Sequence, residues 1–170
     1  MMVLETERLT LRQMSEADAA FMLGLLNEPS WLQNIGDRGV RTLAQARDYI
    51  RQGPMAMLEG RGFSFYIVAL KGPGQTPIGM CGLTQREFLA DVDLGYALLP
   101  QYCGQGYAFE AAAATLVYAK DVLKLPRVIA ITRPENQVSQ GLLRKLGLQW
   151  ECRRPHPDGN RELDVFALPC

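Results

Sequence analysis

The chain has no excess of either charge: eighteen lysines and arginines are interspersed with eighteen aspartates and glutamates, for a formal net charge of zero. Without a long-range field to draw in a phosphate backbone or an anionic membrane, no nucleic-acid partner and no membrane partner are expected. Long hydrophobic runs are missing too. No stretch approaches the roughly 18 apolar residues of a membrane span, and the opening MMVLETERLTLR lacks the charged-then-apolar order of a secretory signal, so a cytoplasmic protein is expected. Histidine is reduced to His156, set between Pro155 and Pro157 in an expected hairpin turn, a poor place to orient a catalytic imidazole. Cys81, Cys103, Cys152 and Cys170 are scattered without a C-x-x-C pair, which argues against a zinc knuckle or a redox dithiol; free thiols and no metal are expected. Repeats, low-complexity tracts and Ser-rich linkers are absent as well, and 170 residues at 48% hydrophobic suffice for one domain spanning residues 1–170.

What is present is an ordered α+β series. Leu9 to Gln13 alternates as a short strand, and Ser15-Glu16-Ala17-Asp18 resembles a helix N-cap with an acid three residues on. Phe21, Met22, Leu25 and Leu26 follow at helical spacing and stop at Asn27-Glu28-Pro29. Thr42 with Gln45 opens a second helix through Ile50, ending at Gly53-Pro54, and a Gly-punctuated loop from Ser30 to Arg41 lies between the two. Phe63 to Leu70, Pro77 to Thr84 and Asp91 to Leu99 read as strands of an antiparallel meander. Gly106 to Leu123 is Ala-rich and apolar nearly all round, as expected of a largely buried helix. Arg127 to Thr132 is a short apolar run, Asn136 to Leu146 a helix closed by Gly147, and Leu148 to Arg154 and Glu162 to Leu168 are the last two strands.

The chemistry concentrates where a strand hands over to the Ala-rich helix. Gly104 and Gly106 let backbone N–H groups approach an anion, and the helix N-terminus adds its partial positive charge, a geometry suited to pyrophosphate. A dinucleotide fingerprint needs a third small residue where Phe109 stands, and a P-loop needs a Gly-Lys dipeptide that occurs nowhere in the chain. What remains is Q-x-x-G-x-G, Gln101-Tyr102-Cys103-Gly104-Gln105-Gly106, the acetyl-CoA signature of the GNAT superfamily. The resemblance covers nearly the whole chain. Glu5-Thr6-Glu7-Arg8-Leu9-Thr10-Leu11-Arg12 is similar to the opening of RimJ/RimL-type N-acetyltransferases, and Ile78-Gly79, Gly82-Leu83, Asp93-Leu94-Gly95-Tyr96, Gly106 to Ala111, Asn136 to Ser139 and Lys145-Leu146-Gly147 follow in family order.

The resemblance implies a GNAT fold: a central mixed sheet of about seven strands flanked by helices, with two splayed parallel strands forming the acetyl-CoA cleft. Asp91 to Leu99 and Arg127 to Thr132 would be those strands. Pantetheine would satisfy the exposed backbone of Ala97, Leu98 and Leu99 as a substitute strand, and a backbone N–H there, that of Leu98, would hold the tetrahedral oxyanion. The pyrophosphate would lie on Gln101, Tyr102, Cys103, Gly104, Gln105, Gly106, Tyr107 and Ala108. By resemblance Asp93, where the family often carries Glu, is the candidate base for the acceptor ammonium, with Asp91, on the same strand face, and Glu87 as competitors, and a plain solvated acid as the alternative reading.

Asn136 fits a helix cap by rule and a pantetheine hydrogen bond by resemblance. Seven residues on, where many GNAT enzymes carry the Tyr that protonates the leaving thiolate, stands Leu143; Ser139 matches a serine of RimJ/RimL-type sequences and is the remaining partner for the sulfur. Glu110 reads as structural, favoured by the helix dipole. By resemblance Trp31, Asn34, Asp37 and Arg38 fall in the region that shapes the acceptor side in the family, as pocket residues or as packed loop. The expected activity is direct transfer of acetyl from acetyl-CoA to a primary amine by a monomer or homodimer, with a non-catalytic acyl-CoA sensor as the alternative.

Overall fold

The computed structural model describes residues 1–168; Pro169 and Cys170 lie outside the described residues, and with them the expectation of a Cys170 thiol. Among the described residues Cys81, Cys103 and Cys152 are free thiols, and no helix is long and apolar enough to cross a membrane.

An eight-stranded sheet organises the chain. Strands β1 (Met2–Glu5) and β2 (Leu9–Gln13) form an antiparallel pair at one edge, ahead of helices α1 (Ala19–Leu26), α2 (Pro29–Asn34), α3 (Leu43–Ile50) and α4 (Ala56–Arg61). Strands β3 (Phe65–Leu70), β4 (Pro77–Thr84) and β5 (Val92–Leu98) make the expected meander. Helix α5 (Tyr107–Asp121), strand β6 (Val128–Thr132), helix α6 (Gln137–Lys145) and the hairpin of β7 (Gln149–Pro155) and β8 (Glu162–Leu168) complete the order β1-β2-β3-β4-β5-β6-β8-β7. Every neighbouring pair is antiparallel except β5 and β6. The eighth strand, β1, exceeds the seven expected: Met1 to Leu4 is continuously apolar, so no period-2 alternation marked it, and pairing with β2 supplies what its own pattern does not.

Three further expectations change. The loop after Pro29 contains α2, whose first turn takes Pro29 at a position where no backbone N–H is needed. Thr42 and Gln45 do form a capping box, with Gln45 N donating to Thr42 Oγ1 at 3.1 Å, but the helix does not stop at Gly53-Pro54. It passes through a π turn over Arg51–Met55 into α4 and ends at Gly62, φ +82°. The wider i→i+5 turn accommodates Pro54, whose ring would clash with the carbonyl four residues back in a regular helix. Helix α5, apolar nearly all round and expected to be largely buried, fully buries one stripe, Ala111, Ala112, Thr115, Leu116 and Ala119, while Val117 and, at the helix end, Val122 are exposed. Its small residues let it lie close on the sheet.

The sheet has a core on each face, and alternation along β3 shows why: Tyr66 and Val68 join the α5 core, while Ile67 joins the core built by α1, α2 and α3 around Met22, Trp31 and Ile50. Fixing helices on both faces leaves the split in the middle of the sheet as the place where a ligand can enter.

Candidate active site

Strands β5 and β6 pair only at Val92↔Val128 and Asp93↔Ile129, then separate. Past that point the edge of β5 over 94–98 has no strand beside it. Gly79 lets β4 lie close against this part of β5, because a Cβ there would lie 2.2 Å from the Ala97 carbonyl oxygen and 2.8 Å from Leu98 Cα. A cleft of about 540 Å³ opens between the strands. The turn into α5 faces it, with Gly104 at φ +77° and Gly106 at φ +84°, left-handed conformations that favour glycine.

Arg8 braces this turn from across the sheet. Its Nε donates to Glu110 Oε1 at 2.7 Å, its Nη1 donates to the Gln105 carbonyl at 3.1 Å, and its guanidinium lies 4.3 Å over the Tyr107 ring. Glu110 also accepts from the Arg8 backbone N–H and the Thr6 hydroxyl; burial opposes its charge, but these bonds hold its carboxyl below the usual carboxylate range. The structural reading of Glu110 agrees with this geometry, and it ties the opening Thr6-Glu7-Arg8 segment to the start of α5.

Of the residues expected at the pyrophosphate and pantetheine, Ala97, Leu98, Cys103 and Gly104 line the cleft, as do Gly106, Tyr107, Ala108, Asn136 and Ser139. Others do not. Leu99 sends its N–H to the Ile78 carbonyl at 2.8 Å, so it has no free donor for a thioester. Gln101 and Gln105 bond each other, Gln105 Nε2 donating to the Gln101 carbonyl at 3.0 Å, and Tyr102 packs against the core rather than the cleft. On the acceptor side Trp31, Asn34 and Arg38 line the cleft, whereas Asp37 turns away to pair with Arg41.

Asp93 lies at the last paired position before the strands part, its side chain 1% exposed. Arg86 Nε donates to its Oδ2 at 3.1 Å, while Oδ1 is buried without a hydrogen-bond partner among the described residues. Burial pushes the carboxyl from 3.8 up to about 6, with Arg86 opposing the rise. The two competitors sit elsewhere: Asp91 precedes β5 rather than sharing its face and accepts from Arg127 Nε at 3.1 Å, and Glu87 is exposed in the connection. His156 bonds within the β7–β8 turn and is outside the cleft.

Ser139, in the first turn of α6, donates its N–H to the Asn136 side chain at 3.2 Å, so Asn136 does cap the helix. The Ser139 hydroxyl lies 2.9 Å from that of Tyr96 on β5. Sequence reasoning missed Tyr96, naming it only within Asp93-Leu94-Gly95-Tyr96; its strand position gave the single clue, since a tyrosine there faces α6 across the split. Burial raises the Tyr96 phenol to about 12, the Ser139 bond opposing. Leu143 is buried in the wall behind this pair.

The fold that carries this cleft is shared with known proteins. The model of the acetyltransferase (GNAT) domain matches residues 8–149. An uncharacterized N-acetyltransferase p20 of Bacillus licheniformis is 32% identical, covering 99% of this chain and 95% of its own. The crystal structure of an acetyltransferase from Agrobacterium tumefaciens superposes with a TM-score of 0.83 at 26% identity, over 98% of this chain and 94% of that one. RimL, a ribosomal L7/L12 alpha-N-protein acetyltransferase in complex with coenzyme A, shares the fold at a TM-score of 0.83 and 17% identity, over 99% and 98% of the two chains. The chain therefore belongs to the GNAT acetyltransferase family and is an acetyltransferase.

Proposed function

We propose that residues 1–170 form one N-acetyltransferase domain, RimJ/RimL-like, that transfers acetyl from acetyl-CoA directly to a primary amine in a ternary complex. The observation that carries this reading is a single cleft holding a glycine turn at one end, a buried carboxylate at the other and a hydroxyl pair between them. Pyrophosphate would rest on the N–H groups of the turn and the first turn of α5, and pantetheine would run along the open edge of β5. Asp93, with its affinity for protons raised toward neutrality, takes a proton from the acceptor ammonium, directly or through water. The amine nitrogen attacks the thioester carbon, the Leu98 N–H holds the oxyanion, and collapse breaks the C–S bond. The proton released by nitrogen ends on sulfur. A phenol raised to about 12 is a better hydrogen-bond donor than proton donor at this step, so Tyr96 and Ser139 act by holding the departing thiolate.

Release of free thiol from acetyl-CoA in the presence of a panel of primary amines tests the proposal. Amine-dependent thiol release with a matching acetylated product is expected. Acetyl-CoA binding without transfer to any amine, or acetylation of alcohols instead, would remove it.

A further inference from the structure

A second cavity, of about 560 Å³, adjoins the cleft, and Arg38, Tyr49, Phe65 and Arg86 line both. These shared residues form the partition at the acceptor end. Arg38 and Arg86 stand on this shared wall with Tyr49, and both lie within electrostatic reach of its phenol. Arg61 lines the far side of the second cavity, and no acidic residue among the described residues lines it. Of the three arginines only Arg86 forms an ion pair among the described residues, with Asp93, the sole carboxylate on the cleft. The acceptor end therefore keeps a positive surplus even with Asp93 ionised. That is unfavourable for a polyamine, and it is no help to a simple ammonium ion. An amine that also carries an anion brings its own compensation, and guanidinium is suited to hold a carboxylate or phosphate through paired hydrogen bonds.

Resting on the acetyltransferase reading of the cleft, we infer that the acceptor is a small primary amine bearing a carboxylate or phosphate, held by Arg38 and Arg86 so that its amine is presented to Asp93. Phe65 and Tyr49 supply the apolar walls between the anion site and the thioester. Arg38 is exposed in the free protein, so its replacement tests the inference without disturbing the core.

The experiment is a comparison of acceptors by thiol release, with calorimetric titration of acetyl-CoA run beside it. Glycine, L-alanine and L-glutamate are set against glycinamide and L-alaninamide, O-phosphoethanolamine against ethanolamine, and spermidine serves as the polycation. At least one anionic arm is expected to exceed its uncharged counterpart in kcat/KM by about tenfold or more, and which arm does so distinguishes carboxylate from phosphate. Arg38→Gln is expected to close that gap mainly through KM, and Arg38→Lys to retain part of it. Uncharged amines or spermidine used as well as or better than the anionic members, or a preference that survives Arg38→Gln, would overturn the inference while leaving the acetyltransferase reading in place. Failure to bind acetyl-CoA at all would instead overturn that reading, and this inference with it.

Discussion

Asp93 is the one carboxylate lining the cleft among the described residues, and its burial has consequences for both rate and stability. As the base it must be ionised, so kcat/KM should climb with pH around about 6 and level off above it. Asp93→Asn should lose that limb and fall by about a hundredfold or more at pH 7, recovering partly at higher pH as the acceptor deprotonates unaided. Wild-type rates across the pH range would transfer the role to water alone. The stability effect has the opposite sign. Because the folded-state value lies above the usual 3.8, the folded protein binds more protons between pH 3.8 and about 6, and stability declines as pH rises through that window. The displacement corresponds to at most roughly 3 kcal/mol. Melting curves should therefore show Asp93→Asn faring better against wild type at pH 7.5 than at pH 4, less whatever the unpaired Arg86 loses; the reverse ordering would contradict the burial argument. For the hydroxyl pair, Tyr96→Phe and Ser139→Ala should each lower kcat by about tenfold with little change in KM and without recovery at high pH, and the double variant should lose less than the product of the two if they act as one unit. Fully multiplicative losses would show that they act separately.

At the scale of elements, the glycine turn separates strain from ligand contact. A Cβ on Gly106 would come within 3.2 Å of Arg8 Nη2, so Gly106→Val disturbs the brace on α5 as well as any phosphate site, on top of a left-handed backbone. Gly104 is the cleaner position: nothing lies within 4 Å of its added Cβ, and only its φ of +77° is penalised. Gly104→Ala should cost about 1–2 kcal/mol of stability, the usual left-handed penalty. Calorimetry should show its acetyl-CoA dissociation constant rising by about tenfold or more, beyond what that strain explains. Unchanged affinity would place the pyrophosphate elsewhere. The π turn at Pro54 belongs to the same scale, since it carries the chain from α3 into α4 and so sets Pro54 and its neighbours on the wall of the second cavity.

For the whole molecule, the split between β5 and β6 is the decisive feature, because a sheet gives up ladder pairing there that other neighbours keep. Coenzyme A bound along that edge should replace the missing strand, so hydrogen exchange at 94–98 should slow markedly on its addition while that of β7 and β8 stays as it was. Uniform slowing across the sheet would point to general stabilisation instead. Much of this architecture was legible locally. The individual strands of the meander, the glycine turn and the Asn136 cap are each written within about ten residues, where period, turn chemistry and capping rules operate, whereas Asp93 stood out by its place in the family pattern. Other features depend on partners remote in the chain: Tyr96 meets Ser139 43 residues away, Arg8 meets Glu110 102 residues away, and Arg38 shares the cleft wall with Tyr49 and Arg86 while its neighbour Asp37 pairs with Arg41. The close approach at Gly79 and the length of the split are likewise matters of how two strands sit against their neighbours. Local composition thus specified the elements and the kind of chemistry, since backbone conformation and ligand affinity follow from short-range sterics and residue type. That Tyr96 and Ser139 meet in the cleft and that Arg38 and Arg86 line it followed only from folding, because burial and distance are properties that no short segment possesses alone.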